Sequence, residues 1–393
     1  MTARDAAVLP ASPCGGLGRG VYVHVPFCLV RCGYCDFNAY AGMDHLAEPY
    51  VDALVREIEA SADGRPVDTV FVGGGTPTQL EPAALGRILD AVRRSFVLGA
   101  GAEVTVEANP ETVDERVFAG LLEAGFNRVS IGIQSLAPHV LQRLDRVHTA
   151  DRALAALHAA RNAGFEHLNG DLIFGTPGET DEDWLRSLEG VLGAGVDHVS
   201  AYALTVEPST PLASAVARGL MPAPDEDVQA DRYEVAERTL AGAGLVRYEI
   251  SNWARPGGWC RHNLVYWTGG DYFGFGAGAH AHRQGRRSWN VRLPRTYVER
   301  SPGVEDGFER LDDVQRREEA AILGLRLAGG LRRRRFTARW GADPLELWPN
   351  ELGALENEGL LEITPDAIRP AAAGFLLNGR IARTLLSIPT EAA

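Results

Sequence analysis

Tyr22-Val-His-Val-Pro-Phe-Cys28-Leu-Val-Arg-Cys32-Gly-Tyr-Cys35 is the stretch on which the reading of this chain turns. The apolar run 21–25 predicts a strand, and the loop behind it carries three cysteines spaced C-x3-C-x2-C. Three thiolates at these intervals each reach one corner of a cubane iron–sulfur cluster. The loop is too short for disulfide geometry between neighbouring cysteines. Zinc usually takes four ligands, and no fourth Cys or His lies at a matching distance; chance clustering and a zinc knuckle are the competing readings. Three protein ligands leave one iron open to a substrate or cofactor.

Outward from this loop, strands and helices alternate. Asp44 is placed to cap a helix with Leu46, Tyr50, Leu54, Val55 and Ile58 on one face. Further strands are predicted over 69–72, 103–107, 128–133, 168–174 and 198–204, with helices over 81–96, 113–123, 151–163 and 181–192. Thr180 with Asp183 is a capping-box-like start for the last of these. Strands separated by helical patterns of this length mean βαβ units and a parallel sheet, here six units forming a partial or open barrel.

Alternation supplies a candidate site. Thr105 and Glu107 share one face of their strand; Ser130, Gly132 and Gln134 oppose Val129, Ile131 and Ile133; Asp171 shares a face with Asn169. Each is an ordinary capping or solvent-facing residue taken alone, but together they line the carboxyl ends of three consecutive strands, where barrel sites lie. Gly73-Gly-Gly-Thr-Pro77 follows the second strand, and its glycines let backbone N–H groups approach a ligand closely.

The net charge of −13 argues against a nucleic-acid partner. The basic run Arg332 to Arg335 reads as a solvated helix end or turn, with an electrostatic partner contact as the alternative. No stretch reaches ~18 apolar residues, and residues 1–19, with Cys14, read as a disordered leader. A soluble, cytoplasmic protein is expected. From 247 to 289 the chain turns Gly- and aromatic-rich; after about 311 it is helical again, with short strands near 359–363 and 367–369. The expected division is a leader over 1–19, a barrel over 20–245, an aromatic and Gly-rich segment closing it over 246–300, and a small α+β, winged-helix-like domain over 301–393.

The full set of motifs resembles the radical-SAM family that holds the oxygen-independent coproporphyrinogen III dehydrogenases and the haem chaperones. The matching stretches run from Tyr22 to Cys28, Gly73 to Pro77, Val106-Glu-Ala-Asn-Pro110, Ile131-Gly-Ile-Gln-Ser135, Asp171-Leu-Ile-Phe-Gly175 and Pro177-Gly-Glu-Thr180. The resemblance covers nearly the whole chain. It implies an α/β partial (β/α)6 barrel with a HemN-type C-terminal domain, and a 4Fe–4S cluster on Cys28, Cys32 and Cys35. It further implies S-adenosylmethionine (SAM) on the open iron, split to methionine and a 5′-deoxyadenosyl radical by one electron from the cluster. Tyr22, Tyr34, Gly74, Gly75, Thr76, Glu107, Gln134, Arg146 and Asp171 would then contact SAM, Arg146 on the resemblance alone.

Two features point to the chaperone branch. The dehydrogenases resemble this chain but add a cysteine two residues after the third, where Phe37 stands here; they also carry a longer N-terminal extension. His262-Asn-Leu-Val-Tyr-Trp267 matches the HNxxYW motif of the chaperones. The resemblance makes His262 a haem ligand, with Tyr266 and Trp267 as stacking faces and Cys260 as a further soft donor; the plainer reading is a hydrogen-bonded histidine in an aromatic mini-core. His24 reads as packed beside the cluster loop. His280 and His282 stay unassigned behind the run Gly274-x-Gly-x-Gly278, which would border the SAM pocket.

The implied function is binding haem and delivering it to apoproteins such as respiratory haem enzymes, with an electron donor for the cluster, a homodimer left open and peripheral contact with the membrane. No catalytic residue is assigned. The alternative is oxygen-independent oxidative decarboxylation of coproporphyrinogen III.

Overall fold

The computed structural model describes residues 18–386; the expected leader, with Cys14, lies almost wholly outside them. Six parallel strands make the centre: β1 (Arg19–Val25), β2 (Pro66–Gly74), β3 (Val97–Ala108), β4 (Arg128–Gln134), β5 (His167–Phe174) and β6 (His198–Ala203). They pair in chain order. Between them run α1 (Ala47–Ala60), α2 (Pro82–Ser95), α3 (Glu115–Ala124), α4 (Ala150–Ala163) and α5 (Asp181–Gly193).

The strand alternation explains why helices cover only one side. Val21, Val23, Val25, Val70, Val72, Val106, Val129 and Ile131 are buried on the outer face against helical stripes such as Leu85, Ile88, Leu89 and Val92 of α2. The opposite residues, Tyr22, His24, Thr105, Glu107, Ser130, Asn169, Asp171 and Ser200, form a polar interior face. Thr180 and Asp183 make a full capping box at α5. The expected Asp44 cap is not formed: Asp44 opens a short 3-10 turn, Asp44–Leu46, and Leu46 takes the cap position of α1 without a side-chain bond. The competing turn absorbs the aspartate.

Residues 246–300 do not close the sheet. β7 (Val246–Glu249) and β8 (Asn252–Ala254) add antiparallel to the β6 edge. At the other edge β9 (Asp271–Phe275) lies parallel to β1, followed by the antiparallel ribbon β10 (His280–Arg283), β11 (Arg286–Asn290) and β12 (Glu305–Arg310). The result is one open, mixed sheet of twelve strands. What crosses the gap is the connection between the two edges, which carries α7 (Arg261–Trp267) after α6 (Glu226–Gly242) in chain order. It plugs the amino-terminal mouth: Arg128 donates to the Gly258 carbonyl, and Glu103 accepts from the backbone N–H of Arg261 and His262.

The C-terminal unit starts at the helix Asp313–Gly324 rather than at 301, because β12 still belongs to the large sheet. Its helices surround a three-stranded sheet of Leu331–Arg332, Leu361–Ile363 and Ala367–Pro370, over a separate core of Phe336, Leu352, Leu355, Ile368 and Ile381. That order of helices and a terminal hairpin is winged-helix-like. The basic run spans a strand end and the first turn of the helix Arg333–Trp340, with Arg333 paired to Asp343 at 3.0 Å.

Candidate functional site

The cysteine loop stands at the carboxyl mouth of the barrel, as strand polarity requires. Cys28 is buried and Cys32 and Cys35 are half-buried. Behind them the backbone of the Gly-rich turn is fully engaged: Gly74 N donates to Glu107 Oε2, Gly75 N to the Val25 carbonyl and Thr76 N to the Phe27 carbonyl. These N–H groups therefore do not reach toward a ligand as expected; they fasten the turn to β1 and the loop. The glycines are needed for close approach. A Cβ on Gly75 would lie 2.7 Å from the Phe27 carbonyl oxygen and 3.0 Å from Cys28 Sγ.

The three cysteines line one cavity of about 430 Å³ with Tyr34, Gly74, Gly75, Thr76, Glu107, Gln134, Arg146 and Asp171. The sequence thus brings eight of nine expected SAM residues to the cluster loop. Tyr22 stands apart, lining an adjoining cavity and donating through its hydroxyl to His24 Nδ1 at 2.8 Å. His24 in turn donates from Nε2 to the Asn38 carbonyl, so it packs under the loop. Gln134 has a φ of 65° beside a register shift in the β4–β5 pairing. A left-handed glutamine costs of order 1 kcal/mol and marks a constrained position on the cavity wall.

Electrostatically the cavity is mixed. Burial pushes the Glu107 carboxyl up to about 7, with the nearby Asp171 adding to the effect. Burial also raises Asp171, against hydrogen bonds from Ser130 and Asn169 at 2.8 and 2.7 Å. Arg146 brings the compensating cation: its Nη1 is 3.7 Å from Cys32 Sγ and Nη2 donates to the Gly132 carbonyl. Its buried Nε has no hydrogen-bond partner among the described residues.

These residues fit a cluster with SAM beside it. Three sulfurs face one cavity next to a guanidinium that still has a donor to spend on an anion. Among the described residues no three Cys, His, Asp or Glu side chains converge on a single ion. A cubane does not ask for that, since each cysteine holds a different iron. Burial raises the Cys28 thiol and pushes Cys35 up to about 11, so iron binding must displace protons from these two sulfurs.

His262, expected on the resemblance as a haem ligand, stands away from the cluster loop. It lies in the floor of the barrel, 1% exposed, with Nδ1 2.8 Å from Thr69 Oγ1 and Nε2 2.7 Å from the Tyr266 hydroxyl. Burial pushes it down to about 3, keeping it neutral. A Cβ on Gly20 would touch its ring at 2.9 Å. With both nitrogens engaged, it stands here as a hydrogen-bonded histidine in an aromatic mini-core of Phe71 and Tyr266. Cys260, 3% exposed and 3.7 Å from Glu103, is equally closed in.

Sequence reasoning missed Glu103, Arg128, Ser200 and Asn38. The first three sit on the inward face set by alternation and were findable from it. Asn38, which donates to the carbonyls of Ala277 and Arg292, depends on long-range packing that no local pattern shows.

A parallel half-barrel with three cysteines at its carboxyl mouth defines a radical SAM protein. The radical SAM superfamily profile matches residues 22–190, and the HemN C-terminal domain profile matches 311–377. The heme chaperone HemW of Mycobacterium tuberculosis (strain H37Rv) is 48% identical over 98% of this chain and 100% of that protein. HemW of Bacillus subtilis is 34% identical over 92% and 98%. The solved coproporphyrinogen III oxidase (HemN) of Escherichia coli superimposes with a TM-score of 0.81 over 98% of this chain and 92% of that one; at 24% identity it speaks for the fold. The chain belongs to the HemW family of the radical SAM superfamily.

Proposed function

We propose that this chain is a haem chaperone: it binds haem, holds a 4Fe–4S cluster on Cys28, Cys32 and Cys35 with SAM beside it, and hands haem to apo-haem proteins. The observation that carries this reading is the full-length similarity to HemW, at 48% identity without a large gap in coverage on either side. Phe37, in place of a fourth cysteine, supports it.

When bound, the cluster supplies one electron to the sulfonium of SAM. The protein's part is position. Arg146 would offer a donor to the SAM carboxylate, Glu107 and Asp171 would hold its amino group, and Gln134, on its left-handed backbone, lines the same cavity. Within this reading the recipients are respiratory haem enzymes, a small reductant protein feeds the cluster, and two copies associate. We place the protein in the cytoplasm, meeting membrane recipients at the surface. No helix among the described residues is long and apolar enough to cross a membrane.

The rival activity is separated by one pair of assays on anaerobically reconstituted protein. Haem titration followed at the Soret band should saturate, and coproporphyrinogen III with SAM and a reductant should not lose carboxyl groups. SAM-dependent decarboxylation without saturable haem binding would replace this reading by the dehydrogenase.

A further inference from the structure

The Arg146 guanidinium can serve a carboxylate reliably only if its long side chain is held in one pose, because an unheld arginine loses rotamer entropy on every contact it makes. We propose that His148 is the positioning residue that holds it: the imidazole takes one hydrogen of Arg146 Nη2 and leaves the other guanidinium donors to a carboxylate-bearing ligand beside Cys32. The proposal rests on the reading that Arg146 meets SAM, and it names what aims that contact.

The arrangement begins in the backbone. β4 pairs Gly132 with Asp171 and Gln134 with Leu172, so Ile133 is the extra residue of a bulge, which the chain leaves through Gln134 at a φ of 65°. Two successive carbonyls of the bulge are taken by side chains. Gly132 accepts from Arg146 Nη2 at 2.8 Å, and Ile133 accepts from His148 Nε2 at 3.0 Å.

Both side chains reach the bulge from one tight turn. The short helix Pro138–Arg143 ends with Asp145 at a φ of 51°, Asp145 N donating to the Gln142 carbonyl at 3.2 Å and Arg146 N to the Leu141 carbonyl at 2.9 Å. This is a Schellman reversal with aspartate in the left-handed position. It sends Arg146 and His148 back toward β4 before Thr149 caps α4.

The direction of each bond follows from the partners. A carbonyl only accepts, so the proton of the neutral ring is on Nε2, and Nδ1 presents a lone pair 3.4 Å from Arg146 Nη2. The ring is 3% exposed; burial, and then the neighbouring guanidinium, push it down to about 4 and keep it neutral. Both Nη2 hydrogens are thereby engaged, one on Gly132 and one on His148. Nη1 stands 3.7 Å from Cys32 Sγ, and the buried Nε has no hydrogen-bond partner among the described residues. A carboxylate entering the cavity meets these donors already set, with little side-chain entropy left to lose.

The test compares full-length, anaerobically reconstituted proteins of equal cluster content by equilibrium dialysis against two ligands. One is SAM; the other is 5′-methylthioadenosine, which keeps the adenosine and lacks the carboxylate. His148→Asn retains an acceptor near the place of Nδ1, whereas His148→Gln retains a donor near the place of Nε2. His148→Gln should weaken SAM about tenfold and His148→Asn less than about threefold, with 5′-methylthioadenosine changed less than about twofold by either. His148→Ala should behave as His148→Gln. In an Arg146→Ala background His148→Gln should cost less than about twofold more, since the two residues act through one contact. Wild-type SAM affinity in His148→Gln, a larger loss in His148→Asn than in His148→Gln, or equal losses for both ligands would overturn the assignment while leaving Arg146 on SAM. Arg146→Ala binding SAM as tightly as the wild type, or a wild type that does not bind SAM, would overturn the underlying reading as well.

Discussion

Replacing Cys32 by serine leaves a folded chain whose iron and acid-labile sulfide, after anaerobic reconstitution, fall to background. The cluster has three protein ligands and no spare, since the fourth iron position belongs to SAM. A serine oxygen is a harder and far more basic donor than a thiolate, and the Arg146 guanidinium 3.7 Å from the sulfur favours an anion that serine does not form near neutrality. The fold should survive because the loop adds little to the core: Leu29, Val30 and Phe37 are exposed by 55%, 44% and 61%. Haem binding should persist, since Cys32 does not line the adjoining cavity that holds Tyr266 and Trp267. Iron and sulfide assays beside far-UV circular dichroism check both halves; full cluster content would remove Cys32 from the ligand set.

Glu57→Ala should cost about 3–5 kcal/mol. Glu57 is 5% exposed on α1 and accepts three hydrogen bonds from the root of the ribbon: Gly276 N at 2.9 Å, Asn290 Nδ2 at 2.7 Å and the Tyr297 hydroxyl at 2.5 Å. Removing it leaves Gly276 N and the Tyr297 hydroxyl buried without an acceptor, while Asn290 Nδ2 keeps only its bond to the Gly276 carbonyl at 3.0 Å. Tyr50, seven residues earlier on the same helix, accepts from Ala277 N at 2.7 Å and donates to the His24 carbonyl at 2.9 Å. These two side chains pin the Gly-rich run that begins the His280 strand. Glu57→Gln keeps one oxygen and should lose roughly half as much. Urea denaturation gives the difference; a loss under about 1 kcal/mol would mean water replaces the acceptor.

The parallel half of the molecule was legible because it is periodic. Strands over 103–107 and 168–174 fall inside β3 and β5, and the alternation of Glu107, Ser130 and Asp171 against valines and isoleucines gave the inward face. The cysteine loop was legible from spacing alone. The ribbon was not: β10 and β11 are four and five residues long, joined by a tight turn, and their polar residues carry no apolar alternation to follow. For the same reason residues 246–300 read as one segment although they serve both edges of the sheet. The burial of His262 was not legible, because a motif names residue types and not directions. Its side chain points into the floor where Glu103, 159 residues earlier in the chain, captures the backbone N–H groups at the start of its helix.

The central claim is that this protein carries haem to other proteins. The most direct test loads the reconstituted chain with one equivalent of haem, removes excess, and mixes it with the apo form of a respiratory haem enzyme. The account predicts that the Soret signature of the loaded chain decays as the recipient's own spectrum and activity appear, faster than with free haem held on serum albumin. Haem that stays on the chain, or a recipient filled no faster than from albumin, would contradict it.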